Sequence, residues 1–74
     1  MMIKYRQIES EDLDCNILDG KYIKDKYSKE KIMVVSYVEN YDEPYSEAIL
    51  DHNYLDYGDR VDEYILLRNF EIEV

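Results

Sequence analysis

Asp12-Leu13-Asp14-Cys15-Asn16 places three oxygen-bearing side chains at alternate positions, the spacing with which a calcium-binding loop opens. The pattern then stops. The sixth position of such a loop requires glycine and is Ile17, and the twelfth, which requires a bidentate Glu, is Ile23. A solvated turn is expected there instead. Asp51-His52-Asn53, with Asp56 and Asp59, again supplies oxygen ligands in number but in no register tied to a metal. Nucleophilic catalysis would need Cys15 or a serine beside a base. The chain has one Cys and one His, and no spacing brings Cys15 and His52 together. A lone Cys is expected to behave as a small buried hydrophobe, and His52 as a packed side chain. Gly20 and Gly58 stand far apart, so neither glycine-rich phosphate loop can be built. The expectation is a protein that is not an enzyme and has no metal and no cofactor.

Charge is distributed more tellingly than any motif. Residues 1–31 are balanced, with Lys4, Arg6, Lys21, Lys24, Lys26, Lys29 and Lys31 against Glu9, Glu11, Asp12, Asp14, Asp19, Asp25 and Glu30. The formal net charge of −9 therefore belongs entirely to residues 32–74. Within 39–63, Glu39, Asp42, Glu43, Glu47, Asp51, Asp56, Asp59, Asp62 and Glu63 face a single Arg60 and are interleaved with Tyr41, Tyr45, Tyr54 and Tyr57. Such a cluster costs stability through self-repulsion, and solubility alone does not require it to be confined to one third of the chain. Tyrosine supplies rigid contact area at low entropic cost and is enriched at binding hot spots. The nine acidic and four tyrosine side chains just named are thus the candidate partner-binding residues.

The elements that would carry them follow from periodicity. Strands are expected over 2–8, 15–26, 31–39 and 62–73. Lys31 to Val38 is rich in β-branched residues, and Tyr64, Leu66, Phe70, Ile72 and Val74 recur with a period of two. Asp19-Gly20 between apolar flanks reads as a hairpin turn, although a short helix after Ser10 that stops at Gly20 is a competing reading. Asp42-Glu43-Pro44 looks like a helix start, and Tyr45, Ala48, Ile49, His52 and Leu55 would form the inner stripe of a helix over 43–57. On that helix Glu43, Glu47 and Asp51 would make a row of anions about 6 Å apart, an interval that could imitate a nucleic-acid backbone. The expected fold class is α+β: a small antiparallel sheet of four to five strands with one helix packed across it. Its inner face would be Ile3, Tyr5, Ile23, Val34, Val38, Ile49, Leu66, Phe70 and Ile72. The alternative reads Tyr45 to Leu50 as a strand and gives a small all-β barrel.

At 74 residues one compact domain, 1–74, is expected, and 46% hydrophobic residues are enough for a packed core. The first residues lack the apolar stretch of a secretory signal, and no aliphatic run approaches the length of a membrane span, so a cytoplasmic location is expected. Net charge disfavours anionic membranes and direct nucleic-acid binding; the lysines of 21–31 are the one stretch of opposite tendency.

In length, acidity, tyrosine content and a bias toward residues favoured by AT-rich coding, the chain resembles the small acidic inhibitors that phages encode against host defence, the anti-CRISPR and anti-restriction proteins. Several of these are DNA mimics. The resemblance is one of whole-chain composition and includes no motif. It implies a non-enzymatic inhibitor in the host cytoplasm whose partner is a basic protein with a nucleic-acid groove, such as a CRISPR effector or a restriction or repair nuclease. The same electrostatics would suit an immunity or antitoxin protein covering a basic toxin. A structural protein that homodimerises through an exposed strand is the third reading.

Overall fold

The computed structural model describes residues 3–39 and 46–74. The fold is α+β, and the described residues form six antiparallel strands in the order β1-β6-β2-β3-β4-β5. The strands are β1 (Tyr5–Gln7), β2 (Tyr22–Asp25), β3 (Lys31–Val38), β4 (Glu47–Leu50), β5 (Arg60–Asp62) and β6 (Phe70–Glu73). Two short helices, α1 (Cys15–Leu18) and α2 (Glu63–Asn69), interrupt them, together with single 3₁₀ turns at Ser10–Asp12 and Leu55–Tyr57. The sheet is thus larger than the four to five strands expected.

Helix α2 determines the shape. It joins β5 to β6, which stand four places apart in the sheet, or about 19 Å on a flat surface. Seven helical residues reach only about 10 Å. The sheet therefore curls, and its concave face holds one cluster: Ile8, Leu18, Ile23, Ile32, Val34, Tyr37, Ala48, Leu50, Tyr54, Val61, Leu66, Phe70 and Ile72. Register explains the membership. Ile72 opposes Ile23, which opposes Ile32, so one row of β-branched side chains crosses β6, β2 and β3 on the inner face.

Most differences from the sequence reading trace to ambiguous periodicity. The helix expected over 43–57 is not formed in its described part. Glu47–Leu50 is a strand paired on both sides, and 55–57 is a single 3₁₀ turn. Ala48 and Leu50 point inward with a period of two, whereas the helical stripe of 45, 48, 49, 52 and 55 shares only Ala48 with that pattern; β3 and β5 supply the backbone partners that favour the strand. The strand expected over 62–73 begins only at Phe70. Asp62 caps α2 by accepting a hydrogen bond from the Ile65 amide at 2.9 Å, and Tyr64 and Leu66, two apart, are respectively exposed and fully buried. The unbroken run Ile65-Leu66-Leu67 fits either period.

The Asp19-Gly20 hairpin is likewise replaced by the competing helix stop. Asp14 caps α1, and Gly20 at φ +77° follows its last turn in the left-handed conformation that glycine adopts without cost. Expected strand 15–26 is accordingly reduced to 22–25. In β3 the pairing jumps from Val34↔Leu50 to Ser36↔Ile49, a bulge that leaves Val35 as an extra, exposed residue. Inward positions therefore run 32, 34 and 37, and the expected Val38 is not among them. This turns Val38 to the outer face and brings Tyr37 into the core, while Ile49 faces outward because Ala48 and Leu50 take the inward positions of β4; Val38 and Ile49 are both half-buried. Asp19 Oδ1 accepts the Tyr37 amide at 2.7 Å beyond the bulge. Ile3, expected inside, is half exposed.

Candidate functional site

The acidic residues of 39–63 do not form a helical row. Glu47 lies on β4 opposite Asp62 on β5, and Asp51 follows β4 about 13 Å further along extended chain. Glu39, Asp51, Asp56 and Asp59 are exposed, whereas Glu47, Asp62 and Glu63 are half-buried. Glu47 accepts a hydrogen bond from Arg60 at 2.6 Å, which neutralises it locally. Asp62 caps α2, and the Glu63 amide donates to the Ser46 carbonyl at 3.0 Å. Tyr41, Asp42, Glu43 and Tyr45 lie outside the described residues. Among the described residues of 39–63, those that can present charge to a partner are therefore Glu39 and the acids of the loop from Asp51 to Asp59.

The tyrosines of that loop have a different role from the one expected. Tyr54 is 3% exposed, with its ring in edge contact with Phe70 (centroids 6.0 Å apart) and stacked on Tyr57 at 6.2 Å. A ring enclosed this way cannot stack on a base or a partner. Tyr57 is half-buried, in edge contact with Phe70, and its hydroxyl accepts from Asn69 at 3.4 Å. The turn between them is closed by the Tyr57 amide donating to the Tyr54 carbonyl, and Leu55, at φ +51°, is left outside.

Where Tyr54 reaches shows a buried polar site that sequence reasoning missed. Its hydroxyl donates to Asp25 Oδ2 at 2.7 Å, so the Ser28 hydroxyl, 2.6 Å away, must donate to the Tyr54 oxygen. Asp25 Oδ1 accepts the amides of Tyr27 (2.7 Å) and Ser28 (3.3 Å). Asp25 is only 5% exposed. Burial by itself would raise its pKa, but the bonds from Tyr54, Tyr27 and Ser28 outweigh it and hold the carboxyl below its ordinary value. Chiefly through burial, and with the nearby carboxylate adding to it, the Tyr54 hydroxyl is pushed up to about 12. The signal available in sequence was Asp25-Lys26-Tyr27-Ser28 between two apolar runs, an Asx-type turn.

A second pair lies at edge strand β1. Arg6 donates to both carboxylate oxygens of Asp12 at 2.7 and 2.8 Å, and Asp12 Oδ2 also accepts the Glu9 amide. The Arg6 bonds, with the Glu9 amide behind them, depress the Asp12 pKa. Asp12 is therefore a structural acid, and Asp14, the helix cap, is another. Cys15, expected to be buried, is exposed, and His52 lies in the 51–59 loop with Nδ1 2.7 Å from Asp51. Among the described residues no group of three or more His, Cys, Asp and Glu could hold a metal ion, and no helix is long and apolar enough to cross a membrane. Comparison with protein families, with curated proteins and with solved structures finds no match.

Proposed function

We propose that this protein is a non-enzymatic inhibitor that binds a basic, nucleic-acid-handling protein, such as a nuclease, through its acidic surface. The observation that supports this reading is the division of labour among its carboxylates. Asp12, Asp14, Asp25 and Asp62 accept backbone or side-chain bonds that build the fold, while Glu39, Asp51, Asp56 and Asp59 are exposed. Exposed like charges raise the free energy of the folded chain, a cost that an oppositely charged partner reverses. The contact is electrostatic: Tyr54 belongs to the core, so no stacking by it contributes.

The experiment is a binding and activity assay with three purified DNA-acting enzymes: an RNA-guided effector nuclease, a restriction endonuclease and a DNA-repair glycosylase. Inhibition of one of them should be relieved by competing DNA and should weaken as salt shortens the screening length from about 10 Å at 0.1 M to about 3 Å at 1 M. Reversing Asp51, Asp56 and Asp59 to Lys should slow association at least tenfold. An unchanged on-rate and salt dependence would make these residues a solubility surface only.

A further inference from the structure

Asp19-Gly20, a helix stop and not a hairpin, is the one place in the chain where an aspartate or asparagine precedes glycine. That pair has a chemistry of its own. The backbone nitrogen of the following residue can attack the aspartyl Cγ, and before glycine no side chain shields that nitrogen or restricts the rotation it needs. The new N–Cγ bond closes a five-membered cyclic imide, and one water leaves. A second water then opens the ring. Attack at Cγ restores aspartate, whereas attack at the backbone carbonyl breaks the old peptide bond and routes the chain through Cβ and Cγ as isoaspartate.

The fold holds each participant away from that reaction. Asp19 stands at ψ 126°, and ring closure requires the Gly20 nitrogen to swing to negative ψ, where it eclipses Cβ. The Gly20 amide donates to the Val34 carbonyl at 2.7 Å, and the Val34 amide donates back to the Lys21 carbonyl at 2.8 Å, so the attacking nitrogen is tied to β3. The carboxyl group is held as well, because Asp19 Oδ1 accepts the Tyr37 amide at 2.7 Å. Before and after the pair, the Asp19 amide donates to the Cys15 carbonyl and the Lys21 amide to the Leu18 carbonyl. Rotation about ψ breaks the Gly20 bond, so the reaction proceeds only through the fraction of molecules in which this contact with β3 has opened.

We propose that Asp19-Gly20 is a latent modification site: shielded in the folded chain, it rearranges to isoaspartate once the chain unfolds, and the rearranged chain cannot rebuild the fold. The last step follows from the geometry. Isoaspartate adds one methylene to the main chain between α1 and β2 and leaves the free carboxylate directly on Cα. The amide and the carboxylate then no longer match Val34 and Tyr37 together, and the Tyr37 bond is the one that braces β3 beyond the bulge at Val35. A reaction of the chain with itself thus makes prolonged unfolding irreversible. It does so whatever the partner is, and independently of the inhibitor reading above.

The test compares the full chain at about pH 6, folded in buffer and unfolded in guanidinium chloride, over days at body temperature. Digestion with an aspartate-specific protease, which does not cut at isoaspartate, reads the loss of cleavage at Asp19, and mass spectrometry reads the imide as the loss of one water. Asp19 should be lost at least tenfold faster in the unfolded chain. When the denaturant is removed, the rearranged fraction should stay unfolded while the remainder refolds. Asp19→Asn gives a faster form of the same reaction, with ammonia leaving instead of water, and its amide oxygen can still accept from Tyr37, so its folded form should be protected too. Equal rates in the two states, for either chain, would overturn the proposal, and so would a rearranged chain that regains the parent's near-ultraviolet spectrum.

Discussion

Asp25 and Asp56 are the same residue type, each one or two positions from a tyrosine, yet one is sealed in the molecule and the other stands in solvent. Around Asp25, a carboxylate, two hydroxyls and two amides satisfy one another within 3.3 Å, and the turn they build is locked. Around Asp56 the loop exposes Asp51, Asp56, Asp59 and Leu55 and keeps only its tyrosine rings inside. A carboxylate's contribution thus depends on its donors and not on how many acids the chain carries. Where three donors converge the charge stabilises the fold, and where none converge it is available to something outside.

The contrast should break most sharply at Asp25. Asp25→Ala leaves the Tyr54 hydroxyl and two turn amides without their charged acceptor. With about 1.5–3 kcal/mol for a hydrogen bond to a charged group, the loss should be at least ~3 kcal/mol in denaturant unfolding. Tyr54→Phe, which removes one donor and keeps the ring, should cost about 1–3 kcal/mol. A Tyr54→Phe protein as stable as the parent would mean that ring packing alone holds the loop.

Titration should sharpen the comparison from both ends of the pH scale. Asp12 and Asp25 have folded pKa values below their unfolded ones, so their contribution is fully present above the ordinary carboxylate range. It is lost as pH falls through the depressed values, below about pH 4. Tyr54 has the opposite sign. Its contribution is complete below about pH 10 and is lost as pH rises toward its folded value of about 12. Thermal unfolding between pH 2 and 12 should show both flanks. Tyr54→Phe should flatten the alkaline flank. It should also move the acid flank upward, because the bond from Tyr54 is one of those that hold the Asp25 pKa down.

The smallest effects belong to the acidic loop. Reversing Asp51, Asp56 and Asp59 to Lys should change stability by no more than about 0.5 kcal/mol per site, as is usual for exposed positions, and should raise it if anything by relieving repulsion. Leu55→Gly should be neutral or stabilising by up to about 1 kcal/mol, since glycine meets no steric penalty at φ +51° and the leucine side chain is mostly exposed. A clear destabilisation in either variant would place this loop with the locked turn instead of opposite it.

Composition, local charge balance and the longest β-branched run were legible in the chain itself. Lys31 to Val38 is a strand as its residues require, and Ile23, Val34, Phe70 and Ile72 are buried as their alternation predicts, whereas Leu66 is buried from a helix. These depend on side-chain type and near neighbours, which a linear sequence states directly. The bulge at Val35, the strand at Glu47–Leu50 and the helix at Glu63–Asn69 do not. The bulge is a matter of register against β4, and the strand and the helix are chosen by partners from elsewhere: β5 for β4, and the Asp62 cap with the closing of the sheet for α2. The same holds for Asp25 and Tyr54, 29 residues apart in sequence and 2.7 Å apart in space. Hydrogen-bond satisfaction is a property of what the fold brings together, and only the tertiary structure decided which acids hold the protein together and which are left for a partner.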